Sequence, residues 1–300
     1  MASEETYESY FVPHNSHLPI MASIGIFLTV FGLGNVLNEL KTASDSLFGT
    51  IVLMIGALVL GSTLFAWFST VIRENHDKMY SNQMNRSYVW AMGWFIFSEV
   101  MFFAAFFGTL FYVRIFAVDW IAGVGDRGPS GMFWPDFSPE WPLLNTPDPS
   151  RFPGATEVVS PWGLPLVNTI LLVTSSVTVT FAHHGINENN RKKLVNFLAI
   201  TVALGITFLG VQAYEYYHAY TELGLTLNAG IYGTTFFMLT GFHGAHVTLG
   251  TFMLIVMLGR AMKGHFRNDD CFGFEATTWY WHFVDVVWLG LFLFVYVLGS

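Results

Sequence analysis

Cysteine is nearly absent. A single residue, Cys271, in a chain of 300 excludes an internal disulfide and a cluster of thiolates around a metal within the chain. Charge is also scarce: Asp, Glu, Lys and Arg make up 11% of the residues, against roughly 25% in soluble domains. Basic residues are outnumbered 13 to 21, for a formal net charge of -8. That balance argues against nucleic acid as a partner, because phosphates call for basic patches. The sequence has no Walker-type glycine loop, no C-x-x-C, no C-x-x-C-H for covalent heme and no Ser nucleophile elbow. No repeat of fixed period and no low-complexity tract is visible. The N-terminal MASEETYESY is acidic and lacks the basic segment of a signal peptide, so no cleaved leader is expected.

What is abundant is apolar. Hydrophobic residues make up 53% and aromatic residues 17%, with 30 Phe, 10 Trp and 12 Tyr. A bilayer core about 30 Å thick needs about 20 mostly apolar residues per spanning helix. Seven segments meet that test: Leu18–Val36, Leu47–Ile72, Tyr88–Phe116, Gly163–Phe181, Leu194–Tyr214, Ile231–Leu258 and Glu275–Leu298. The fold class is therefore all-α and integral to a membrane. The uncharged run from Leu223 to Gly259 is longer than one helix needs and reads as one helix plus a buried loop. The connection from Ala117 to Trp162, rich in Gly and Pro, is too polar to span and too long for a simple turn. Its Trp and Phe residues suggest that it lies against the outer interface. Two domains are expected, 1–87 with the first two spans and 88–300 with the other five.

Orientation follows from the basic residues. The connections after spans two, four and six hold Arg73, Lys78, Arg86, Arg191, Lys192, Lys193, Arg260, Lys263 and Arg267. The other side holds Lys41, Arg114, Arg127 and Arg151, and it collects Asp119, Asp126, Asp136, Glu140, Asp148 and Glu157. The first set belongs inside, so the N-terminus is expected in the cytoplasm and the C-terminus outside.

Ionisable groups within spans are costly and usually face protein or a water-filled cavity. Glu99 lies in WFIFSEVMFF, where a bare carboxylate is disfavoured by about 2.5–3.5 kcal/mol. It reads either as a buried, hydrogen-bonded acid or as a proton-relay group. His243 and His246 share one face of span six, and His282 and Asp285 share one face of span seven. Two His at that spacing suit heme or copper, but each span lacks a third close ligand. Hydrogen bonds between helices are the better reading, each contributing about 0.6 kcal/mol. Glu275 opens span seven, with Asp285 about 15 Å further along the axis. A partner for Asp285 is expected, His282 first. His183 and His184, beside Asn187, belong to an ordinary inside loop or meet a partner subunit. At the inner surface Arg73, His76, Arg260, Lys263 and His265 set topology or bind phospholipid phosphates. Spacing alone gives no complete catalytic constellation.

Several motifs carry a resemblance. WYWHFVDVVW at Trp279–Trp288, FGFEA at Phe272–Ala276, GFHGAHVTLG at Gly241–Gly250, YGTTFF at Tyr232–Phe237 and QAYEYYHA at Gln212–Ala219 resemble subunit III of cytochrome c oxidase, in the heme-copper oxidase subunit III family. PLVNTILL, AHHGINENNRK, FSEVMFF at Phe97–Phe103 and VIRE at Val71–Glu74 are similar. The likeness covers nearly the whole chain and is most specific in its last 140 residues. It implies two helices splayed from a bundle of five, with lipids in the cleft between them. It also implies no heme or copper on this chain. Those belong to subunits I and II, where cytochrome c is oxidised, oxygen is reduced to water and protons are pumped. Such a subunit packs on subunit I, sustains turnover and supports proton supply and oxygen access. By the same resemblance Glu99 is the intramembrane carboxylate of the third helix, Arg73 and Glu74 mark the lipid-cleft end of the second, and Arg260 closes the sixth. The chain departs from the family at Trp67–Thr70. Its Ala117–Trp162 connection is longer than in mitochondrial relatives, which points to a bacterial type in the cell membrane. Two rivals remain, a quinol oxidase subunit III and an independent proton-coupled transporter using Glu99 and Glu275. Quinol-type relatives usually lack the first two spans, and no repeat halves or broken helices suggest a transporter.

Overall fold

A computed structural model describes residues 11–12, 15–42, 46–124, 129–266 and 271–299. The acidic N-terminal decapeptide, Asp126, Arg127, Arg267 and Ser300 lie outside the described residues. Among those described, all regular structure is helical. Seven helices are long and apolar enough to cross a membrane. We label them α1 (Leu18–Lys41), α2 (Phe48–His76), α3 (Asn82–Ala122), α4 (Leu164–Asn187), α5 (Arg191–Thr221), α6 (Ile231–Lys263) and α7 (Phe272–Val297). Two of them carry a π-helical turn, Val113–Ala117 in α3 and Phe292–Val297 in α7.

The ends are set by local chemistry. Ser46 accepts the Phe48 amide at 3.2 Å, and Glu39 reaches across from α1 to accept the Gly49 amide at 2.9 Å. Pro165 sits in the first turn of α4, where its missing N–H costs nothing. The Asn190 side chain accepts the Lys193 amide at 3.1 Å and caps α5. Gly123 and Gly264, at φ 67° and 75°, close α3 and α6 in the left-handed conformation. Arg191 supplies the carbonyls that α6 leaves open, donating to Ala261 O at 3.2 Å and to Met262 O.

The chain divides into two compact units, one up to Trp90 and one from Ala91. In the first, α1 and α2 form an antiparallel hairpin. Gly25 and Gly32 of α1 meet Leu60 and Leu53, while Gly49 and Gly56 of α2 meet Val36 and Thr29. At each a Cβ would strike the facing backbone, so the absence of side chains is what lets these backbones approach.

In the second unit α7 is the most enclosed span. Its inward face carries Phe274, Thr277, Trp281, Asp285, Trp288 and Leu291 at helical spacing. The indole of Trp281 fills the notch left by Gly205 of α5 and Gly250 of α6 and donates to Ser175 Oγ of α4 at 2.9 Å. One turn-pair later, Trp288 donates to Thr169 Oγ1 of α4 at 2.9 Å. The lower part of α3 meets this bundle through large rings, with Phe95 on Tyr280, Phe102 on Phe242 and Phe103 on Phe283.

Most helices run past the expected bounds, and α4 ends at Asn187 rather than Phe181, so that His183 and His184 are helical and not in a loop. α3 starts at Asn82 and runs to Ala122, and α5 runs to Thr221 rather than Tyr214. The long connection therefore begins at Gly123. Its far half is packed down: Leu143, Ala155 and Val159 are buried, Trp141 stands edge-on to Tyr232, and Thr156 bonds Leu223 O through both N and Oγ1. The uncharged run after α5 is one loop followed by one helix, with Leu223, Leu225 and Ala229 buried in the loop.

Candidate functional site

The polar groups of the spans collect between helices. On α6, His246 Nδ1 lies 2.6 Å from the Phe242 carbonyl oxygen. A carbonyl only accepts, so Nδ1 bears a hydrogen. Nε2 lies 2.9 Å from Glu99 Oε2 on α3. With Nδ1 already a donor, that contact holds one proton. It is a carboxylate with an imidazolium, or a carboxylic acid with a neutral imidazole. Both forms carry no net charge, which suits a low-dielectric setting. The rings of Phe102, Phe103 and Tyr280 surround the imidazole.

One turn earlier, His243 is fully buried. Its Nε2 is 3.1 Å from Val284 O of α7 and therefore donates. Its Nδ1 makes no hydrogen bond with the described residues. Phe208 and Trp288 pack against the ring.

On α7, the expected direct pairing of His282 with Asp285 is replaced by a bridge. Ser176 of α4 donates to Asp285 Oδ2 at 2.9 Å and lies 3.1 Å from His282 Nδ1. A hydroxyl has one hydrogen, so His282 Nδ1 donates to Ser176 while Ser176 donates to Asp285. The reverse order requires a protonated Asp285. Thr180 lies 3.4 Å from His282 Nε2. The serine was not foreseen because an α4 hydroxyl carries no sign of its partner in sequence.

A second buried cluster was missed altogether. Glu215 of α5 is fully buried. Its Oε1 accepts from Tyr296 Oη at 2.6 Å and from Gln212 Nε2 at 3.5 Å, and Gln212 accepts from Asn168 Nδ2 at 3.3 Å. Ending span five at Tyr214 puts Glu215 in a connection. The signal was present, since Leu198, Thr201, Gly205, Phe208, Gln212, Glu215 and Ala219 continue one buried face at three- and four-residue steps.

Glu275 lies at the start of α7, with Oε1 3.5 Å from His183 Nε2 of α4 and 3.5 Å from Cys271 Sγ. The basic residues expected at lipid headgroups fall in two places, one in each unit. Arg73 and His76 are exposed in the last turn of α2. Glu74 accepts from Tyr80 Oη at 2.8 Å. Burial, and then that bond, hold the Tyr80 phenol well above its ordinary range, so it remains the donor. Arg260 and Lys263 end α6, with the Arg260 guanidinium 4.7 Å from the Phe266 ring and His265 N bonded to Arg260 O at 3.1 Å. Near them an open cavity of about 220 Å³ is lined by Arg191, Asn189, Gly264 and Phe266.

Comparison with known proteins agrees along the whole chain. The profile of the family described as cytochrome c oxidase subunit III matches residues 8–148 and 131–300. A protein of Rickettsia bellii named probable cytochrome c oxidase subunit 3 is 37% identical over 285 residues, covering 94% of this chain and 92% of that one. Cytochrome c oxidase subunit 3 of the alga Prototheca wickerhamii is 38% identical over 283 residues, 94% of each chain. That of Arabidopsis thaliana is 36% identical over 302 residues, 99% of each. With seven helices long and apolar enough to cross a membrane, and matches of this extent, the chain belongs to the cytochrome c oxidase subunit III family.

Proposed function

We propose that this chain is the non-catalytic subunit III of a terminal oxidase that takes electrons from cytochrome c, and that it supports proton uptake and durability of turnover in the assembled complex. The observation that carries this reading is the Glu99–His246 contact at 2.9 Å, with His246 Nδ1 held by Phe242 O. The pair exchanges between two neutral forms by moving one proton, without placing net charge in the span. Heme and copper reside on subunits I and II, which this chain packs against. Support comes from the apolar faces of α1 to α3, where Phe27, Phe65, Phe68, Trp90, Trp94 and Phe97 are exposed and suit lipid or a neighbouring span. Arg73, Glu74 and His76 at one helix end, and Arg260, Lys263 and His265 at another, are the places for phospholipid headgroups. The distribution of basic residues supports an inside N-terminus and an outside C-terminus, in the cell membrane of a bacterium.

Two assays on the purified complex test the reading. Heme and copper, measured chain by chain, are expected on other subunits, and either one bound to this polypeptide alone contradicts the proposal. Oxygen consumption is expected with reduced cytochrome c. Activity with quinol alone would instead place the chain in a quinol oxidase.

A further inference from the structure

We propose that His183, Cys271 and Glu275 form a binding site for a borderline-soft divalent cation of the zinc class, joining the end of α4 to the start of α7. One ligand atom from each residue lies within 4.8 Å of the other two. Two separations are already short, 3.5 Å from Glu275 Oε1 to His183 Nε2 and 3.5 Å from Glu275 Oε1 to Cys271 Sγ. Bonds of about 2.3 Å to sulfur and about 2.0–2.2 Å to nitrogen and oxygen put neighbouring ligands of a tetrahedral ion about 3.3–3.6 Å apart. Both contacts therefore fit, and only the His183–Cys271 edge has to close.

The ligands are also prepared for the ion. His183 Nε2 is buried and makes no hydrogen bond with the described residues. In the neutral Nδ1–H form it presents a lone pair to the other two groups. Its ring is held against Phe274, with centroids 5.9 Å apart. Cys271 and Glu275 are four residues apart on one turn, fixed by the bond from Glu275 N to Cys271 O at 3.0 Å. The His183 and Glu275 side chains are 31% and 34% exposed, so the site lies at the edge of the chain and not in its core. Three protein ligands of S, N and O type leave a fourth position for water.

The chemistry selects the ion. On binding, the Cys271 S–H bond breaks, its proton leaves to solvent, and a metal–thiolate bond forms. Thiolate and carboxylate together neutralise a divalent charge. Magnesium and calcium favour all-oxygen sets, so they compete poorly here. The lone cysteine rules out a thiolate cluster but not a mixed site of this kind. Zinc has no redox chemistry, so the ion is a clamp between two spans and not an electron carrier.

Cys271 is the one cysteine in the chain, so its alkylation reports on this site alone. In membranes holding the assembled protein, maleimide modification of the Cys271 peptide is followed by mass spectrometry. Zinc chloride is expected to slow the reaction about tenfold once the ion exceeds its dissociation constant by that factor, and magnesium chloride to leave it unchanged. His183→Ala and Glu275→Gln should each lose most of the protection. Equal protection in both variants, or none in the wild type, overturns the proposal. A second measurement needs no variant. Zinc K-edge absorption of the full-length wild-type chain with one equivalent of zinc should show one sulfur at about 2.3 Å beside nitrogen and oxygen. A shell without sulfur overturns it.

Discussion

Ser176 has one hydroxyl hydrogen and meets two ionisable groups, Asp285 at 2.9 Å and His282 at 3.1 Å. Removing it leaves an aspartate oxygen inside the bundle without its donor, at a cost of about 1–3 kcal/mol. Ser176→Ala should lower the melting temperature of the purified complex, and Ser176→Thr, which keeps the hydroxyl, should lower it less. At the aqueous end of the molecule, Asp148 behaves in the opposite sense to a buried acid. The Ser150 hydroxyl, 2.5 Å away, holds its carboxyl below the usual range. A depressed carboxylate contributes stability above its unfolded pKa of about 3.9 and loses it as pH falls through the lower folded value. Hydrogen exchange at the Arg151 and Phe152 amides, which bond Asp148 O, should therefore rise in acid below that value. Ser150→Ala should move the rise to higher pH. Sequence identified Glu99, His243, His246, His282 and Asp285 because ionisable residues stand out in apolar runs. It could not pair Glu99 with His246, which are 147 residues apart with nothing local to link them.

At the scale of the helix, contact depends on what is missing as much as on what is present. Trp281 enters the bundle because Gly205 and Gly250 leave room for its ring. Gly250→Val would place methyl groups against that indole, and overpacking of this kind typically costs about 1–3 kcal/mol. The expected result is a lower midpoint in thermal unfolding. Gly244→Ala on the same helix, where a Cβ meets nothing within 4 Å, should leave the midpoint unchanged. Spans were easy to count because each needs a run of about 20 apolar residues. Their ends were not, because hydropathy falls wherever buried polar groups such as Gln212 and Glu215 appear, although the helix continues around them. The long connection was legible as a loop, but its seat on Leu223 and Tyr232 depends on tertiary contacts.

For the whole molecule, a chain with so much exposed apolar surface and such neutral polar pairs is suited to lipid and neighbouring subunits. Arg73→Ala combined with Arg260→Ala is expected to reduce the phospholipid retained by the purified complex, read by native mass spectrometry. Unchanged lipid would remove those residues from any headgroup site. The proposed support of proton uptake rests on the proton shared by Glu99 and His246. Glu99→Gln keeps a hydrogen-bonding side chain of the same size but cannot take up or release that proton. An interhelical hydrogen bond in a membrane contributes only about 0.6 kcal/mol, so the complex should still assemble with its full heme and copper. The most direct measurement follows proton uptake and oxygen consumption of that assembled variant over successive turnovers. A proton-carrying role for Glu99 predicts slower proton uptake and earlier loss of activity than in the wild type. An assembled variant with wild-type proton uptake and lifetime would contradict it, as would failure to assemble, which would make Glu99 a structural contact alone.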